Sequence, residues 1–272
     1  MIISNIIIVS IITLIERKLI GRIQRRTSCD KIYQPFIDAL KLILKMRYRY
    51  KNNLYYLSSL INLIFTILIL CILPNIQDSI WIDLNIKNNF IWYILLLSYN
   101  FYPILYSAIS SNNKYSLISA IRAIKYIISY EIILTSIALW YIYYNKSLSI
   151  LEYNLIYEYI PIMIILYIIM SIESNRLPYD LIECESELVA GYIIEYSAIE
   201  FTLIYLSEYI MLLINSIILS LIFYPYIYIY LISFIFIRAL LPRYKLYDVY
   251  KNSWFHYLLF VMFFFLYSFL LI

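Results

Sequence analysis

Residues 173–195 read ESNRLPYDLIECESELVAGYIIE. Six of these residues are acidic (Glu173, Asp180, Glu183, Glu185, Glu187 and Glu195), out of 17 acids in the whole chain, and Arg176 is the one base among them. The segment is flanked on both sides by apolar runs long enough to lie in a bilayer. Ionised carboxylates are expensive in hydrocarbon, so an acid cluster wedged between such runs either handles protons or sits in a wet, charged interface.

Composition sets the class. The chain has 272 residues, of which 64% are hydrophobic and 14% charged. Soluble domains carry about 25% charged residues, so this balance points to an integral membrane protein. Apolar runs near 20 residues fit helices, since about 20 residues rising ~1.5 Å each cross a ~30 Å hydrocarbon core. The alternating ~10-residue segments of a membrane β-barrel are not seen. Tyr is abundant at 33 residues and Gly is scarce at 2. With its many Ile, Asn and Lys, this usage suggests an A/T-biased genome, such as many organelles have. Cys29, Cys71 and Cys184 show no CxxC spacing and His256 is the only histidine, which points away from a zinc or iron–sulfur site and predicts no metal ligands. His256 reads as an interfacial residue. The N-terminus lacks the charged start and cleavage site of a signal peptide, so the first span is expected to open the mature chain.

Taken in order, the apolar runs predict an all-α integral membrane protein with about eight transmembrane helices, forming a single polytopic membrane domain over 1–272. The expected spans are 2–20, 54–73, 90–110, 119–144, 155–172, 197–222, 226–241 and 254–272, with an acidic loop at 173–195. Phe223-Tyr224-Pro225 is the expected turn inside the long run 197–241, because proline cannot continue a helix interior. With eight spans, segments 15–53, 111–125, 173–195 and 238–253 share one side. They carry 19 of the 21 Lys and Arg residues. That bias follows the positive-inside rule and puts the acidic loop in the same compartment as the basic ones.

Several groups could carry chemistry. Glu16 to Lys51 holds 11 Lys and Arg residues. It reads either as a headgroup-binding loop or, through Phe36, Ile37, Leu40, Leu42, Ile43 and Leu44, as an amphipathic interfacial helix after the first span. Glu131 falls near mid-membrane and implies a proton or ion pathway, or a buried pair with a base of another span. Glu183 and Glu187 would share a helix face that Glu185 does not. Mutual repulsion favours proton uptake by some of these carboxylates; the alternative is a solvated charged loop. Glu195 and Glu208 stand 13 residues apart, ~220° around a straight helix. Serving one path would need a bend or a route between helices. Segment 238–248 sets topology or forms a basic, aromatic contact patch.

Five words in this order, ERKLIGRIQRR, QPFIDALKLILK, KYSLISAIRAIKYIISYE, the acidic word continued to EYSAIEFTLIYLSEY, and IRALLPRYKLYD, resemble the quinone-site membrane subunit family of respiratory complex I, the mitochondrial NADH dehydrogenase subunit 1 family. The resemblance implies a core membrane subunit of proton-pumping NADH:ubiquinone oxidoreductase in the mitochondrial inner membrane, with basic and acidic loops facing the matrix. It implies ubiquinone as substrate in a shared chamber, and no flavin or iron–sulfur cluster in this chain. The implied partners are membrane lipids, peripheral-arm subunits at the quinone site and neighbouring membrane-arm subunits; nucleic acid is not among them. Carried over by motif, Glu131, Glu173, Asp180, Glu183, Glu185, Glu187, Glu195 and Glu208 would couple protons. Arg17, Arg22, Arg25, Arg176, Arg238 and Arg243 would shape the chamber or pair with those acids. As such, the chain would be part of an enzyme without holding a complete active site. Cys184 replaces the family's usual glycine, Met46 replaces a glutamate, and Glu200 stands where a small residue or proline is expected. Rival readings are a stand-alone proton- or ion-coupled transporter, an architectural anchor whose acids only bind partner subunits, and a related subunit of a membrane-bound hydrogenase-type complex. Two glycines and no visible repeat argue against the transporter.

Overall fold

The computed structural model describes residues 2–27, 31, 33–45, 53–73, 88–146, 160–182, 188–223 and 226–271. The secondary structure among them is entirely helical. The helices are α1 (Ile2–Ile23), α2 (Gln34–Leu44), α3 (Asn53–Ile72), α4 (Asn89–Tyr99), α5 (Tyr102–Ser111), α6 (Lys114–Asn145) and α7 (Ile160–Glu173). A single turn of 3-10 helix, Gly191–Ile193, lies near the end of the acidic segment. Then come α8 (Ala198–Ile222), α9 (Ile227–Leu240), α10 (Leu246–Lys251) and α11 (Leu258–Leu271). A π-helical stretch, Asn252–Tyr257, joins the last two, and His256 lies exposed on it.

Helix α8 is the hub. Every residue from Ile210 to Ile222 is buried, so this half of the helix, apolar but for Asn215, Ser216 and Ser220, is enclosed on all sides as a central helix is. It packs on α3 and α9, and α1 leans against α9 and α8. Helix α7 joins α6 and α8. Ile69, Tyr93, Tyr126, Ile133, Ile169 and Ile214 belong to one continuous core shared by these helices. A smaller cluster includes Tyr55, Ile104, Ile182, Tyr192, Tyr196 and Ile204.

Among the described residues, two helical stretches, Leu54–Ile72 and Ala198–Ile222, are long and apolar enough to cross a membrane; Ile160–Glu173 and Ile227–Leu240 are shorter apolar helices. The full set of eight spans is therefore not established by helix length and apolarity. The reasons are local. Helix α1 carries Glu16, Arg17 and Lys18, and α6 carries Arg122, Lys125 and Glu131. The expected span 90–110 is broken into α4 and α5 at Asn100-Phe101. Pro103 stands in the first turn of α5, where its missing N–H costs nothing but prevents α4 from running through. Helix α2 has no buried residue, and Phe36, Ile37, Leu40, Ile43 and Leu44 are exposed. That is the pattern of an interfacial helix. Helix α8 ends at Ile222 and α9 starts at Ile227; Tyr224 and Pro225 of the expected turn lie outside the described residues.

Candidate functional site

The site is built where α7 ends. Asn175 adopts the left-handed conformation (φ 50°) that asparagine tolerates, and its N–H bonds back to the Ile172 carbonyl at 3.1 Å. The chain then reverses through a cis Leu177-Pro178 peptide. This turn leaves Glu173 on the last turn of α7 and swings Arg176 back against α8.

Arg176 Nη2 lies 2.5 Å from Glu208 Oε2, and both side chains are 10% exposed. The Tyr192 hydroxyl donates to Glu208 Oε1 at 3.4 Å. The same guanidinium sits over two aromatic rings of α8, Tyr209 at 4.5 Å and Tyr205 at 5.5 Å, which adds cation–π attraction. The Tyr209 hydroxyl donates to Glu16 Oε2 at 2.7 Å, and Arg238 of α9 donates to Glu16 Oε1. Glu16 is 3% exposed. Two ion pairs, Arg176–Glu208 and Arg238–Glu16, are thus bridged by one tyrosine. A buried charge is tolerable only when paired and hydrogen-bonded, and here both acids are.

Glu173 is buried at 7% exposure. The Tyr130 hydroxyl of α6 is its hydrogen-bond partner, while Glu173 Oε2 has no hydrogen bond. Glu173, Tyr130, Asn62, Ser207, Tyr192 and Glu208 line one cavity of about 40 Å³. A water needs roughly 10–15 Å³ by this measure, so the cavity can hold a short chain of two or three waters. A second void of about 10 Å³ borders Glu16, Ser174, Arg176 and Arg238. Glu131 lines a separate recess of about 360 Å³ with Tyr99 and Tyr102, and Phe101 and Ile127 wall both it and the Glu173 cavity. No ion pair of Glu131 is found among the described residues.

Asp180 belongs to an outer clamp. Arg243 Nη2 is 2.7 Å from Asp180 Oδ2. The Tyr244 N–H donates to the Pro178 carbonyl at 3.1 Å, and the Tyr179 and Tyr244 rings lie 5.3 Å apart. Burial pushes the Asp180 carboxyl above the ordinary carboxylate value, against the opposing pull of Arg243. Burial also raises the Tyr179 hydroxyl well above its usual value. Glu195 stands apart, accepting from Asn113 Nδ2 at 3.2 Å. Ala198, at φ 53°, breaks the backbone before α8, so Glu195 is not on the helix that carries Glu208.

Of the basic candidates, Arg176, Arg238 and Arg243 meet acids. Arg17 pairs with Asp38 of α2 at 2.8 Å and is half-exposed. Arg22 and Arg25 are exposed at and beyond the end of α1. Glu183, Glu185 and Glu187 lie outside the described residues. The sequence reading did not single out Glu16, Tyr209, Tyr192 or Tyr130 as site residues. The available signal was an acid followed directly by two bases at the end of an apolar run. Tyr209→Phe keeps the ring under Arg176 but removes the donor to Glu16. A hydrogen bond to a charged group is worth about 1.5–3 kcal/mol. We expect this variant to lose function at lower temperature than the parent; an unchanged thermal profile would contradict the bridging role.

The arrangement can pass protons between waters and carboxyls, and can feel a charge change at either arginine. A family model described as NADH dehydrogenase matches residues 1–269. NADH-ubiquinone oxidoreductase chain 1 of Apis mellifera ligustica is 34% identical over 285 residues, covering 96% of this chain and 92% of its own. The protein of that name from Hyaloraphidium curvatum is 33% identical over 267 residues, covering 92% and 89%. That from Locusta migratoria is 32% identical over 283 residues, covering 95% and 89%. With the match running along nearly the whole length on both sides, the chain belongs to the NADH dehydrogenase family.

Proposed function

We propose that the chain is a core membrane subunit of the proton-pumping NADH:ubiquinone oxidoreductase, lining the quinone chamber and coupling quinone reduction to proton movement. The observation that carries this reading is the bridged pair of ion pairs beside the Glu173 cavity. Ubiquinone is the substrate. Its reduction takes two electrons and two protons to give the quinol, and the electrons come from an iron–sulfur cluster in a partner subunit. This chain holds neither flavin nor cluster. Its partners are the peripheral-arm subunits at the quinone site, neighbouring membrane-arm subunits and membrane lipids.

The chain's own residues act electrostatically. Loss of negative charge near Asp180 frees Arg243, and the loop 174–182 carries that change to Arg176. A weaker Arg176–Glu208 contact leaves Glu208 to take a proton from the cavity it shares with Glu173. Glu183, Glu185 and Glu187 lie between these groups in sequence and take the first charge change. Glu131 and Glu195 extend the path. Arg17, Arg22 and Arg25 edge the chamber's mouth near the interfacial helix α2. Eight spans place the basic and acidic loops in the matrix, with the protein in the mitochondrial inner membrane, as the charge bias and the A/T-rich coding suggest.

Two experiments test this reading. Native electrophoresis of gently solubilised membranes should put the chain in a large NADH-oxidising band. Migration alone or as a small oligomer would contradict subunit status and favour the transporter reading. Glu187→Gln should cut quinone-linked pumping while assembly survives; intact pumping would remove that residue from the path.

A further inference from the structure

We propose that Phe101 and Ile127 form an apolar gate between the Glu173 cavity and the Glu131 recess, so that a proton passes between these acids only while Phe101 stands aside. This rests on the proton-coupling reading above and deepens it.

Two compartments lie back to back here. The inner one, about 40 Å³, is lined by the buried acids Glu173 and Glu208. The outer one, about 360 Å³, holds Glu131. Leu95, Tyr99, Tyr102 and Ile128 line the outer one and are exposed, so it opens on the outside of this subunit. Phe101 and Ile127 are the two described residues that line both compartments. They are therefore the wall.

The elements on each side explain why the wall falls there. On α6, Ile127 stands three residues before Tyr130 and four before Glu131, so it neighbours both on the helix surface. Tyr130 faces inward to Glu173, Glu131 faces the recess, and Ile127 fills the seam between them. Phe101 sits at the joint between α4 and α5. Pro103 has no N–H to give the Tyr99 carbonyl, so the two helices meet at a joint that can bend, where one unbroken helix would hold the side chain fixed. Phe101 is half-buried and rests on the smaller core cluster that includes Ile104 and Tyr192.

The wall differs from what it separates. Asn100 Oδ1 and Glu173 Oε2 line the inner cavity and make no hydrogen bond among the described residues, so water is favoured on the inner side of the wall. Phe101 and Ile127 offer water no polar atom, and a water chain stops at them. Two acids on one unbroken water chain would exchange protons at all times. A pump needs them separated, because an excluded-water step prevents the proton from leaking back. The step through the open gate is one proton transfer. The Glu173 carboxyl gives its proton to a bridging water, that water gives one to the Glu131 carboxylate, and the water ends as it began.

The test uses the assembled complex in sealed vesicles and counts protons moved per NADH oxidised. Phe101→Ala removes most of the wall, so the variant should still oxidise NADH but move fewer protons for each one. Phe101→Leu keeps more of the wall and should lose less. Phe101→Trp thickens it and should slow NADH oxidation severalfold. A packing role alone would lower the amount of assembled complex without moving the ratio. If Phe101→Ala lowers assembly, Ile127→Ser opens the same wall from α6 and decides by the same ratio. A parent-like ratio in assembled Phe101→Ala or Ile127→Ser complex would overturn the gate, as would parent-like speed in Phe101→Trp, which would mean that the wall never has to open. Glu173→Gln, measured alongside, separates the failures. If it lowers pumping while the wall variants do not, only the gate falls. If it too leaves pumping intact, the proton-coupling reading falls with it.

Discussion

Arg176→Met is expected to cost about 3–5 kcal/mol, the usual penalty for stranding a buried charge by removing its partner. Glu208 is 10% exposed at its side chain, and the Arg176 guanidinium 2.5 Å away is its only ion-pair partner among the described residues. Without it, Glu208 keeps only the 3.4 Å bond from Tyr192. Tyr205 and Tyr209 lose their cation as well. The loss should appear as a smaller amount of assembled subunit on native electrophoresis and earlier inactivation on heating. The double variant Arg176→Met with Glu208→Leu should recover most of it, because replacing both partners of a buried pair by apolar groups is often near neutral. A single variant as stable as the parent would mean that this pair carries little of the packing between the 174–182 loop and α8.

Glu173→Gln is expected to act on function and not on assembly. Glutamine preserves the shape and can still accept from Tyr130, so packing on α6 is retained. It cannot take up and release a proton. Positioned proton transfer is worth about 10²–10⁴-fold in rate, and a fall of at least 10²-fold in proton-coupled quinone reduction is the expected result. Tyr130→Phe leaves the carboxyl in place and should cost far less. Equal losses in the two variants would mean that Glu173 works through its bond to Tyr130 and not through its proton.

The acidic word was readable as a site because its charge has no place in an apolar bundle. Glu173, Asp180, Arg176 and Glu208 all come from that word and its continuation, and the structure brings them to one end of the bundle. Their pairing was not readable. Arg176 and Glu208 are separated by the turn at Gly191–Ile193 and the break at Ala198, and no local periodicity spans such a fold-back. Glu16 was sorted with a basic loop because bases follow it directly. In the structure Glu16 faces the bundle from within α1, where Arg238 and Tyr209 meet it, while the neighbouring Arg17 turns outward to Asp38. The break between α4 and α5 had a visible cause in Pro103, yet the apolar run on either side reads as one span. Tyr130, Tyr192 and Tyr209 were hidden by abundance, since nothing local marks three functional hydroxyls among 33 tyrosines.

The most direct measurement is the number of protons moved per NADH oxidised in sealed vesicles holding the complex with Glu208→Gln in this chain. Glu208 joins the ion-pair network to the cavity. The glutamine amide still accepts from Arg176, which Tyr205 and Tyr209 still cover, so the account predicts that the variant assembles in reduced amount, still oxidises NADH, and moves fewer protons per electron pair than the parent. An unchanged ratio, with the variant assembled and turning over at the parent rate, would contradict a proton path through this network.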